Sequence, residues 1–142
     1  MPIGGGYERL TLGGLILYAG CPIQWISKRK CIGAMSTCAS AYVAMGDSAQ
    51  HLSHLINLIR SLDITPQPTI HCDNEAAIVI TNDNASSKRT KYLIRAFFFV
   101  NDLIRNEKTQ LILVTRKEQL ANILTKSPLP MTCSKFMEKV NL

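Results

Sequence analysis

Six apolar positions, Tyr42, Met45, Ala49, Leu52, Ile56 and Ile59, recur at intervals of three and four residues. That spacing keeps one helix face apolar over roughly five turns and predicts the longest helix of the chain. The helix is expected to stop near Leu62, because residues 64–68 contain two prolines. Gly46 is a weak point inside it. Upstream, residues 10–17 and 22–27 are β-prone and separated by a short stretch in which Gly20 can take a positive φ, the pattern of a hairpin. Trp25 is expected to pack this hairpin onto a helix. Lys28, Arg29 and Lys30 read as an exposed turn, and residues 31–35 as a further strand.

Residues 69–80, TIHCDNEAAIVI, pass from a β-prone run through an acidic pair into an alanine-rich, helix-prone run. Asp73 therefore falls at a strand-to-helix junction, where a carboxylate either holds a ligand or caps the helix. Residues 81–87 read as a polar loop. Residues 92–100 carry one charge, Arg95, and three consecutive aromatics, Phe97, Phe98 and Phe99. No helix hides three successive positions on one narrow face, so this segment is either buried all round or shows an apolar patch. Residues 109–115 predict a strand whose continuous apolar centre suits an inner position. Residues 117–125 predict a short helix with Leu120, Ile123 and Leu124 on one face. Residues 131–142 predict a last helical turn around Phe136 and Val140. The order of elements is α/β, with one domain over residues 9–130 between a glycine-rich, mobile start (1–8) and a C-terminal tail (131–142).

Composition changes this picture in three respects. Charged residues make up 18% of the 142-residue chain and apolar residues 46%, so some apolar surface is expected to lack a polar cover. A net charge of +6, densest at Lys88, Arg89, Lys91 and Arg95, favours nucleic acid over membrane as a partner. Five cysteines without a CxxC pair fit neither a disulfide framework nor a zinc knuckle, which predicts reduced thiols and an intracellular setting, cytoplasm or nucleus. The run LTLGGLILYAGC mimics the apolar core of an export signal, but Glu8, Tyr18 and the strand-like continuation through Pro22 and Trp25 argue against export. His51 and His54, with Asp47 one turn earlier, read as a solvated helix face and not as a metal site.

With this element order in place, the sequence resembles the ribonuclease H domain at the end of copia-type LTR retrotransposon Pol polyproteins. The matching residues are Pro22-Ile23-Gln24-Trp25 with Ser27-Lys28, Ala34-Met35-Ser36, Ala41-Tyr42-Val43-Ala44, Cys72-Asp73-Asn74, Arg89-Thr90-Lys91 and the block from Glu118 to Lys126 (EQLANILTK). The resemblance implies a ribonuclease H-like α/β/α fold with a mixed sheet. It also implies an active site in which four carboxylates hold two Mg or Mn ions for cleavage of RNA in RNA/DNA hybrids. Of those four positions, Asp73 alone keeps its carboxylate. Ala41 and Asn122 occupy two others, and the first central strand, which carries the fourth, is missing or replaced.

The charge pattern agrees independently, since no carboxylate occurs between Glu8 and Asp47. A single aspartate cannot offset the charge of two divalent ions. The expectation is thus a catalytically inactive, retrotransposon-derived domain with no cofactor, for which Asp73 serves as a helix cap. Its expected role is a binding module, either for nucleic acid through Lys28, Arg29, Lys30, Lys88, Arg89, Lys91 and Arg95, or for a protein through Phe97, Phe98 and Phe99. A protein partner or a second copy could complete the sheet left open by the lost strand. A residual nuclease built on Asp73, Glu75 or Asp83, and a remnant without selected function, are the competing readings.

Overall fold

The computed structural model describes residues 9–31, 37–83, 91–125 and 130–140. Strands β1 (Arg9–Tyr18) and β2 (Cys21–Cys31) form an antiparallel hairpin. Its two-residue turn uses Ala19 (φ 52°) and Gly20 (φ 80°), both left-handed, which matches the twist of the flanking strands. The register shifts between Ile16 and Leu17. Lys28, Arg29 and Lys30, expected as a turn, belong to β2; the further strand expected at 31–35 lies outside the described residues beyond Cys31.

Helix α1 (Thr37–Arg60) carries the predicted apolar face and organises the rest. Tyr42, Met45, Ala49 and Ile56 join one buried cluster with Cys72, Ala77 and residues of helix α3, while Val43 packs on the opposite side against Leu12 of the hairpin. The chain leaves α1 through Asp63, whose φ of 62° turns it toward strand β3 (Thr69–Cys72). Helix α2 (Glu75–Asp83) follows, so the expected polar loop begins later than residue 81. Helix α3 (Lys91–Asn106) extends past the predicted segment and buries Ala96, Val100 and Leu103, at helical spacing.

Gly46 has a reason that periodicity does not reveal. A Cβ on it would stand 2.5 Å from the Ala96 Cβ, so the glycine lets α1 and α3 cross at close range. At the far end of the same pair, the Arg60 guanidinium forms a two-pronged ion pair with Glu107, clamping the C-terminal ends of both helices.

Strand β4 (Gln110–Leu113) pairs with β3 in parallel, which makes the fold mixed α/β, with one antiparallel and one parallel strand pair among the described residues. Two expectations change here. Among the described residues strand β4 is not an inner strand: it has β3 on one side, and Ile112 and Leu113 are exposed. Trp25 does not pack onto a helix and is 66% exposed. Side chains alternate along a strand, and Gln24 and Ile26 take the α1 side, which turns Trp25 away from it.

The helix predicted at 117–125 is instead a capped turn followed by a 3-10 helix, Leu120–Leu124. Thr115 and Glu118 form a reciprocal capping box, the Thr115 N–H donating to Glu118 Oε2 (3.2 Å) and the Glu118 N–H to Thr115 Oγ1 (3.3 Å). This fixes the entry to the segment. Helix α4 (Pro130–Lys139) ends beside Val140, which is fully buried, as the tail pattern predicted.

Candidate functional site

A cavity of about 1000 Å³ lies between the hairpin, α1, β3 and the segment carrying the 3-10 helix. It brings together the three positions singled out by the sequence: Ala41 from the start of α1, Asp73 from the end of β3, and Asn122 from the 3-10 helix. The Asn122 Nδ2 donates to Asp73 Oδ2 at 3.5 Å and to the Arg116 carbonyl at 3.2 Å. Residues 49 positions apart in the chain thus face each other across the cavity.

Asp73 is not the cap of α2. Asn74 is, its Oδ1 accepting the Ala77 N–H at 3.1 Å, while the Asn74 carbonyl accepts the Ile78 N–H as the first helical bond. Aspartate and asparagine cap helices about equally well, and the register of the strand brings Asn74, not the expected Asp73, to the helix. Asp73 follows Cys72 off the end of β3 and turns to Asn122, one residue too early for the cap. Glu75 occupies the first position of α2 and is exposed, where the helix dipole favours a negative charge.

The donor set does not suit the two-metal centre that the resemblance implies. Ala41 offers a methyl group, and Asn122 turns an N–H, not its oxygen, toward the Asp73 carboxylate. Among the described residues no group of three or more histidine, cysteine, aspartate or glutamate side chains could hold a metal ion. The His51 ring is engaged elsewhere, its Nδ1 lying 2.7 Å from the Gln24 amide on β2.

The structure separates the other predicted site residues. Lys28 and Arg29 are exposed on β2, and Arg95 is exposed on α3, where its guanidinium stacks 5.8 Å from the Phe99 ring centre. Lys88 and Arg89, and the side chains of Lys30, Lys91, Phe97 and Asp83, lie outside the described residues. Phe99 is partly buried against the core. Phe98 is 67% exposed and meets Phe99 edge to face, ring centres 6.0 Å apart. The segment is thus not buried all round: Phe98 is the exposed aromatic among its described side chains.

Two contacts went unread in the sequence. The Gln119 Nε2 donates to the His71 carbonyl at 2.9 Å, and Ser27 Oγ donates to the Leu124 carbonyl at 2.7 Å, so the 3-10 segment is tied to both β3 and β2. Neither residue stands out by type or spacing. Only the approach of three distant segments gives them partners.

No family model matches the chain, and no solved structure matches it. It is similar to the retrovirus-related Pol polyprotein from transposon TNT 1-94 of Nicotiana tabacum, at 25% identity over 121 residues, 84% of this chain and 9% of that protein. Two polyproteins of the same description from Arabidopsis thaliana match over 95% of the chain: that of transposon RE1 at 26% identity, with 9% of its length covered, and that of RE2 at 24%, with 10% covered. The chain therefore spans about a tenth of the length of these relatives. Over nearly all of its own length, it is related to retrovirus-related Pol polyproteins of plant transposons.

Proposed function

We propose that this chain is a ribonuclease H-like portion of a copia-type Pol protein that has lost phosphodiester hydrolysis and serves as a nucleic-acid-binding module. The observation that carries the reading is the meeting of Asp73, Asn122 and Ala41 around one cavity, with a carboxylate, an amide and a methyl group in place of three acids. Cleavage through two metal ions needs enough negative charge to desolvate and hold them. What this chain places there is Asp73, already bonded to a neutral amide, and Glu118, whose carboxylate is taken up by the Thr115 N–H.

The binding half of the proposal rests on charge. Arg116 and Lys117 are exposed at the rim of the cavity beside Asp73, Lys28 and Arg29 are exposed on β2, and the whole chain is at +6. Basic groups of this kind contact phosphates without reading sequence.

The test is a titration of a labelled RNA/DNA hybrid at two salt concentrations in magnesium or manganese, with the strands analysed afterwards. Salt-weakened binding without cuts is the expected result. Cleavage would overturn the loss of activity, and absence of binding would overturn the binding role. A repair experiment probes the site itself: Ala41→Glu with Asn122→Asp should create a manganese site detectable by calorimetry, where the unaltered chain shows none. Failure of the refolded double variant to bind manganese would mean that the three positions do not form a ribonuclease H-like centre.

A further inference from the structure

Consecutive residues of a β-strand point to opposite faces, so a cavity lying against one face touches every second residue. The large cavity instead meets residues 11–19, along β1, and residues 66–74, around β3, without interruption. It abuts the edges of both strands. The opposite edges are taken, β1 by β2 and β3 by β4, and among the described residues neither pair has a third strand.

On β3 the edge can be assigned group by group. The Pro68 and Cys72 carbonyls accept the N–H groups of Gln110 and Val114 on the β4 side, so the main-chain groups of Thr69 and His71 alternate onto the cavity side. The His71 carbonyl there is met by the Gln119 side-chain amide, a donor standing where the N–H of a neighbouring strand would be.

The space also has a floor and a roof. Leu12, Gly14 and Ile16 bury their side of β1, with Gly14 close against Ser48 of α1. On the other side, a Cβ on Gly13 would stand 2.7 Å from the Ala121 carbonyl of the 3-10 helix. A strand edge that faces an open space while both of its faces are covered borders a slot of strand shape.

We propose that this slot is a strand-acceptor site, in which an extended segment of a partner polypeptide lies between β1 and β3 and bonds through its main chain to both edges. Because acceptor edges flank it on both sides, the occupant can bring no neighbouring strand of its own. The folded hairpin of a second copy is excluded, since its β2 would need the place that β3 holds. The partner segment is therefore unstructured until it binds.

Strand and layer spacings give a residue in a sheet roughly 160 Å³, so a cavity of about 1000 Å³ takes on the order of six residues. On the α1 floor Ala41, Ala44 and Ser48 are small and Leu52, Leu55, Ile56 and Ile59 are apolar, which suits uncharged, β-branched side chains at alternate positions of the guest. This proposal stands on strand edges alone and is independent of the nucleic-acid reading.

The test uses the full chain and a fluorescein-labelled octapeptide of alternating threonine and valine, beside the same peptide N-methylated at alternate residues along one edge. Anisotropy should show saturable binding of the first and at least roughly tenfold weaker binding of the second, because several main-chain hydrogen bonds are lost. Amide exchange should slow at Thr69 and His71 when the peptide is bound. Ala44→Phe, which fills the slot, should abolish binding at an unchanged circular dichroism spectrum; if that variant does not fold, the N-methyl comparison decides alone. Equal affinity for both peptides, or none for either up to millimolar concentration, overturns the proposal. So does protection of Thr69 and His71 in the chain alone, which would mean that the chain closes its own slot or, if protection rises with protein concentration, that a second copy does.

Discussion

The two sides of α1 are built to opposite standards. Toward α3, a glycine meets an alanine at backbone range, Leu103 and Val100 are fully buried, and an ion pair ties the helix ends together. Toward the hairpin and β3, the same helix floors a cavity of about 1000 Å³, with Ala41, Ala44 and Ser48 followed by Leu52, Leu55 and Ile59, and two strand edges face it without a third strand among the described residues. Helix-to-helix packing depends on side-chain volume, which apolar residues supply locally. Closing a sheet depends on main-chain partners that a neighbouring strand must bring. Among the described residues the fold is therefore closely packed on one side of α1 and leaves strand pairs without a third strand on the other.

This contrast predicts a gradient of mutational effects. Leu103→Ala should cost most, about 3 kcal/mol in urea unfolding, because it leaves a void in the packed half. A cost below about 1 kcal/mol would mean that the α1–α3 side is as loose as the slot side. Gly46→Val should follow at about 2 kcal/mol, since any Cβ there meets Ala96. Stabilisation by Gly46→Ala, as helix propensity alone would predict, would show that the helices can move apart.

At the junction between the halves, Asn74→Ala should remove about 1 kcal/mol with the cap of α2, while Asp73→Asn should lie within about 0.5 kcal/mol of the parent. The reverse order would return the capping role to Asp73. The smallest effect is expected for Phe98→Ser, within about 0.5 kcal/mol, because the ring is already exposed. A clear loss of stability there would place Phe98 in a contact that the isolated chain makes.

Much of the architecture is legible in order and kind. The apolar period of α1, the Gly20 turn of the hairpin, the strand before Asp73 and the helical tail around Val140 are local signals, written in residues close together in the chain. Three of the errors share one cause. Trp25, the position of β4 and the capping role of Asp73 each depend on which neighbour occupies the next place in space. Alternation along β2 is readable, but which face meets α1 is not. An apolar run such as residues 111–114 reads the same in an inner strand as in an edge strand that lacks a cover.

The candidate site divides in the same way. Asp73, Ala41 and Asn122 were singled out by resemblance, and their charge count already argued against two metal ions. Their convergence, the Asn122 amide turning its N–H to Asp73, and the substitution of Gln119 for a strand donor at His71 are products of long-range packing.

By itself the sequence determined the periodic elements, their order and the poverty of acid around the candidate site, because these depend on residue identity and short spacing. The tertiary structure alone decided which strand edges lack a neighbouring strand among the described residues and which polar groups face each other. Those outcomes depend on hydrogen bonds between segments some fifty residues apart, for which no single stretch of chain carries the pattern.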